Sequence, residues 1–130
     1  MSRIKLNLEV LTGEFAVCQL EPEAKIPNWA LQGDYYALTK TKEELSLVCL
    51  QSTVPSNVKS EGDWRVIKVL GPLDFALVGI LASLSTTLMK AGVSIFAIST
   101  FDTDYLLVKK KDLAKACEAL KQADYNIINY

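Results

Sequence analysis

The sequence predicts an α+β fold: two tandem ferredoxin-like units of β-α-β-β-α-β order, with antiparallel sheets and the first unit degenerate. Three observations predict it. Residues 67–105 read as an apolar strand, a long helix, a second strand and an acidic turn, with Gly71 after the first strand and Gly92 after the helix. Residues 112–129 add an amphipathic helix and a closing strand. Residues 52–63, STVPSNVKSEGD, are the most loop-like of the chain and put the boundary between an N-terminal unit, 1–62, and a C-terminal unit, 63–130. A module of about 60 residues hides only about 60% of its unfolded surface, so the two are expected to share an interface.

In the first unit Leu6, Leu8 and Val10 alternate with Lys5, Asn7 and Glu9, the period of a half-buried strand. Thr12 and Gly13 offer a turn and residues 15–20 a returning strand, so 5–20 reads as a hairpin. Pro27 limits residues 21–33 to a short irregular helix at most. Residues 35–39 and 45–51 read as strands, and Thr41 with Glu44 has capping-box spacing for one helical turn between them.

In the second unit residues 64–70 form a strand. Asp74 is placed to cap the helix that follows by accepting from the free N–H groups of its first turn, with Leu73 and Val78 as a hydrophobic staple. Leu77, Leu81, Leu84, Leu88 and Ala91 recur at three- and four-residue spacing and make the buried stripe, while Gly79, Ser83, Thr86 and Lys90 mark the wetter face. Gly92 suits a left-handed C-terminal cap. Residues 93–100 and 104–109 pair through the turn at Phe101, Asp102 and Thr103. Asp112 opens a last helix with Leu113, Ala116, Cys117 and Leu120 on one face, and 125–129 closes the sheet.

Composition narrows the function. Net charge is −1, and the only basic run is Lys109, Lys110 and Lys111, read as a solvated helix entrance. Nucleic acid is therefore not expected as a partner, since phosphate neutralisation needs a broad basic surface. There is no run of about 20 apolar residues, so no membrane span, and no apolar stretch near the start that makes a signal peptide. Cys18, Cys49 and Cys117 are an odd set, each in an apolar segment, and read as buried reduced thiols of a cytoplasmic protein. With no His, no C-x-x-C, no G-x-S-x-G and no G-K-[ST], catalysis, a metal and a cofactor are all unexpected. Trp29 and Trp64 read as packing residues.

The order strand, Gly-loop, helix, Gly, strand resembles an ACT domain, the amino-acid-binding regulatory module of metabolic enzymes. The string GVSIFAISTFDTDYLLV, residues 92–108, is similar to small two-ACT proteins related to the CASTOR arginine sensors, whose strand pair carries a Ser-Thr-Phe turn ending in Asp. LSLVCLQSTVP, residues 45–55, resembles their first half. The resemblance implies that both units are ACT-type and that a free amino acid is held at an ACT–ACT interface, so as to modulate a protein partner. The matching positions are Gly71 and Asp74, then Thr100, Phe101 and Asp104, then Val54 and Pro55. The sensors have four such units and this chain two, which implies a homodimer.

The residues suit that chemistry. A helix N-terminus can hold an amino acid's carboxylate, and Gly71 lets backbone approach closely. Asp74 or Asp104 can hold an ammonium or a cationic side chain, and Phe101 can cover an aliphatic stem. If Asp74 caps its own helix it competes with an incoming carboxylate, and Asp104 is then the better contact. Asp102 is an ordinary turn former. The alternative is an assembly module that pairs through exposed sheet edges and takes no small ligand.

Overall fold

The computed structural model of the chain describes residues 6–70 and 79–130, and these form eight strands, two α-helices and three short 3-10 turns. Backbone proximity divides the chain into two units, Met1–Thr12 with Arg65–Tyr130, and Gly13–Trp64. The expected units are 1–62 and 63–130; here Met1–Thr12 group with the C-terminal residues, and Asp63 and Trp64 with the N-terminal ones.

In the C-terminal unit the strands are β1 (Asn7–Val10), the end of β5 (Lys59–Val69), β6 (Ile95–Ser99), β7 (Asp104–Lys109) and β8 (Asn126–Ile128). Their order is β8-β1-β5-β7-β6. From β5 onward the elements run β-α-β-β-α-β, with α1 at Ile80–Lys90 and α2 at Leu113–Gln122. β1 is an added strand between β8 and β5. It runs antiparallel to β5, with Leu8 opposite Val69, and parallel to β8, with Leu8 opposite Ile127. The sheet is thus not wholly antiparallel as expected, because a strand from the other end of the chain has been inserted into it.

Leu84 and Leu88 of α1 and Leu113, Ala116, Cys117 and Leu120 of α2 are buried against Leu8, Val10, Ile67, Val69, Leu106 and Val108 of the strands. The three- and four-residue spacing puts each set on one helix face, and each fully buried Leu contributes about 1.5–3 kcal/mol relative to exposure. Leu81 and Ala91 flank this core, whereas Leu77 lies outside the described residues. Among the described residues α1 runs from Ile80, with Gly79 in the N-cap position at φ 82°. The expected cap Asp74 and the staple Leu73 and Val78 lie outside the described residues.

Both helices end in the same cap. At α1, Gly92 (φ 76°) donates to the Met89 carbonyl at 2.9 Å and Val93 to that of Leu88 at 3.0 Å. At α2, Asp124 (φ 71°) donates to Lys121 at 3.0 Å and Tyr125 to Leu120 at 3.0 Å. The left-handed residue reverses the chain and satisfies carbonyls of the last turn. Ser83 and Tyr125 join α1 to the end of α2 through their hydroxyls, 2.6 Å apart.

The N-terminal unit comprises β2 (Phe15–Leu20), β3 (Ala37–Lys40), β4 (Leu45–Leu50) and the start of β5, in the order β3-β4-β2-β5. Among its described residues there is no α-helix, only 3-10 turns at Asn28–Leu31 and Gln51–Thr53. Its core is Ala16, Cys18, Ala30, Leu45, Leu47 and Cys49, with Trp29 packed against it.

Three local expectations change. The hairpin over 5–20 does not form: β1 and β2 exist, but each pairs with a different stretch of β5, Val10 with Ile67 and Phe15 with Trp64. Alternation fixes which face a strand buries, not which neighbour it takes. The linker over 52–63 gives way at Lys59 to β5, whose first half is exposed and polar and so lacks an apolar signal. Between Phe15 and Val17 two steps on β2 face three on β5, a bulge that places Asp63 at φ 64°. Gln51 fastens it, accepting the Asp63 N–H at 2.5 Å and donating to its carboxylate at 3.2 Å. A Cβ on Gly62 would sit 2.7 Å from the Gln51 Oε1, so only Gly lets that side chain so close. Finally, no helical turn forms at Thr41. It links β3 to β4, its hydroxyl accepting the N–H groups of Glu43 and Glu44 at 3.1 and 3.2 Å, while the Glu44 carboxylate takes the Gln19 amide at 3.2 Å.

Candidate functional site

The β6–β7 hairpin carries three of the residues singled out by sequence. The two strands pair in unbroken register from Ile95 opposite Val108 to Ser99 opposite Asp104. Beyond that pair the chain turns through Thr100–Thr103. The Thr100 N–H donates to the Thr103 carbonyl at 2.8 Å, and the Thr100 hydroxyl donates to the same carbonyl at 3.1 Å and accepts the Thr103 N–H at 3.2 Å. Ser99 donates its hydroxyl to the Asp104 carboxylate at 2.5 Å, which orients Asp104 while leaving it partly open to solvent. A carboxylate held by one donor keeps acceptor capacity for a cation. Phe101 is 84% exposed at the tip, a large apolar surface three residues before that carboxylate in sequence.

The sequence places Thr103 only in the turn, and this is where sequence reasoning misses most. Cysteines and aromatic residues apart, it is the only buried polar residue among the described residues, 6% exposed. Its hydroxyl donates to the carbonyl of Val69, the last residue of β5. A polar residue in a DTD turn gives no sequence signal for this, since turn propensity and burial are separate properties.

The other named positions are not brought into this hairpin. Val54 follows the 3-10 turn of the N-terminal unit, donating its N–H to Gln51 at 3.2 Å and packing against that unit's core. Pro55 accepts the Val58 N–H at 3.2 Å. Gly71 and Asp74 lie outside the described residues. At the start of α1, Gly79 makes no side-chain cap bond and the first turn holds no acidic residue.

The cysteines are free and buried. Burial, and then the neighbouring Cys49, push the Cys18 thiol up to about 12. Burial also raises Cys49 and Cys117; Lys121 and Arg65 pull Cys117 the other way. A thiol whose ionisation is opposed by burial is a weak nucleophile. Among the described residues no three His, Cys, Asp or Glu side chains gather to hold a metal, and no helix is long and apolar enough to cross a membrane.

Comparison with known proteins then identifies the module. The ACT domain family model matches residues 59–122, and a second model, describing an N-terminal domain, matches residues 13–57. A crystal structure from Agobacterium tumefaciens is 35% identical and superimposes with a TM-score of 0.90, covering 97% of this chain and 94% of that one. The chain is an ACT-domain protein. It is related to the cytosolic arginine sensor for mTORC1 subunit 1 of Bos taurus and of Homo sapiens, each 30% identical over 96 residues. That match covers 68% of this chain but 29% of the sensors, so the chain matches under a third of their length. Aspartate kinase of Clostridium acetobutylicum shares the fold with a TM-score of 0.65 at 15% identity, over 92% of this chain and 34% of the enzyme. The ACT match and the kinship to an arginine sensor support a regulatory role in general.

Proposed function

We propose that this ACT-domain protein binds a free amino acid and that the bound state modulates a protein partner. The observation that carries the reading is the β6–β7 hairpin, where Ser99 orients the Asp104 carboxylate in the same turn that exposes Phe101. Asp104 takes the α-ammonium or a cationic side chain, and Phe101 covers the aliphatic stem. Thr100 contributes its hydroxyl, and Gly71 with Asp74 the backbone approach for the carboxylate. Val54 and Pro55, in the N-terminal unit, are contacts on family likeness alone. Both units are ACT-type in this reading, the N-terminal one reduced, and the interface that holds the ligand is completed by a second copy of the chain in a cytoplasmic homodimer. The relatives named as arginine sensors support an amino acid as the ligand class.

A thermal-shift panel of the twenty amino acids at millimolar concentration tests this. One responder at about 100 times its Kd adds about 2.7 kcal/mol and several degrees in Tm, and Asp104→Ala should abolish the gain. A flat panel counts against the reading.

One observation favours a second reading, a ligand-independent assembly module. β6 pairs only with β7 among the described strands, and residues 93–101 contain no charge and no proline, so this edge lacks the usual protection against strand pairing. Ile98→Lys should then break the homo-oligomer in size-exclusion chromatography while any amino acid leaves it unchanged.

A further inference from the structure

We propose that Thr103 is a positioning residue: it ties the hairpin tip to the end of β5 and so fixes where Asp104 and Phe101 stand. The tie is read from the structure alone, whereas its consequence for a ligand rests on the amino-acid reading above.

The turn itself does not need this side chain. Its hydrogen bonds use the Thr103 N–H and carbonyl, both facing Thr100, and any residue supplies those. The Thr103 hydroxyl instead reaches back 34 residues in sequence to the Val69 carbonyl. Val69 is fully buried and lies opposite Leu8 of the inserted strand. The tip is thereby tied to the end of β5, in addition to the pairing of β7 itself with β5. A hydroxyl at 6% exposure with no acceptor is costly, so the bond is kept wherever the hairpin stays down, and the buried methyl group adds packing that Ser lacks. Asp104 is the next residue in the chain, so freedom at Thr103 is freedom at the candidate contact, and preorganised contacts bind more tightly than loose ones.

Thr103→Val keeps the shape and removes the donor; Thr103→Ser keeps the donor. Native hydrogen exchange of the Thr100 and Thr103 amides is measured in each, with the affinity for whichever amino acid stabilises the wild type. In Thr103→Val these amides should exchange about tenfold faster while those of Ala116 and Leu120 in α2 are unchanged, and affinity should fall about tenfold; Thr103→Ser should restore both. Unchanged exchange in Thr103→Val overturns the tie. A loosened hairpin that binds as tightly as wild type overturns the positioning role. A flat amino-acid panel with a loosened hairpin supports the tie and counts against the amino-acid reading instead. If Thr103→Val does not fold, Thr103→Ala compared with Thr103→Ser decides: faster exchange of these amides in Thr103→Ala supports the tie, and equal exchange overturns it.

Discussion

The two units of this chain close their cores by different means. Among the described residues of the C-terminal unit two α-helices cover a five-stranded sheet and fifteen buried residues form one cluster. In the N-terminal unit a 3-10 turn and a few partly buried side chains do the covering, and the cluster has six buried residues, two of them cysteines. Burial of apolar surface is the main favourable term in folding, so the difference is one of local stability. The unit carrying the candidate hairpin is therefore expected to be the more rigid, which suits a site that must hold Asp104 in a set direction.

The largest expected effect tests that ranking. In native hydrogen exchange the amides of β7 should be better protected than those of β4 in the wild type. Leu88→Ala removes a side chain with no solvent exposure from the larger core and should cost about 2–5 kcal/mol. Protection in β7 should then fall toward that of β4. A wild type in which β4 is protected as well as β7 breaks the comparison.

Alkali should sharpen it. Cys18 holds its proton to about 12 in the folded chain against an ordinary 9.0. Between those values the folded state binds the proton that the unfolded state has lost, so stability falls as pH rises. Below 9 the thiol contributes no pH dependence. Cys49 is raised by burial in the same core, while the C-terminal core holds only Cys117. The N-terminal unit should therefore open first between pH 9 and 12, and Cys18→Ala should flatten the slope of Tm against pH there. A slope unchanged in that variant removes Cys18 as its cause.

What could be read in the sequence divides along the same line. The helix faces at Leu84, Leu88, Ala116 and Leu120, the cap at Gly92 and the strands at 45–50 and 104–109 were legible, because each rests on local periodicity or a local backbone need. The place of β1 beside β8 was not, since Leu6, Leu8 and Val10 alternate identically whichever strand they meet. The polar first half of β5 was hidden for want of apolar residues. Of the candidate site, Ser99 to Asp104 was legible as an acidic turn. The burial of Thr103 was not, because it depends on where Val69 lies.

The smallest effect comes from the two helix ends. Gly92 and Asp124 occupy the same left-handed position in the same hydrogen-bond pattern, at φ 76° and 71°. Glycine adopts that conformation without penalty, and an L-residue with a Cβ does so at a cost, which a short polar side chain such as Asp only partly reduces. Asp124→Gly should therefore stabilise the chain by about 0.5–1 kcal/mol, read as a rise of a few degrees in Tm. Gly92→Asp is the mirror experiment and should lower it by about the same amount. Because α2 carries Ala116, Cys117 and Leu120 into the larger core, the Asp124→Gly gain should appear in the protection of that core and not in β3 or β4. A gain shared equally by both units would mean that they open together, and the contrast between them would then describe their construction and not their stability.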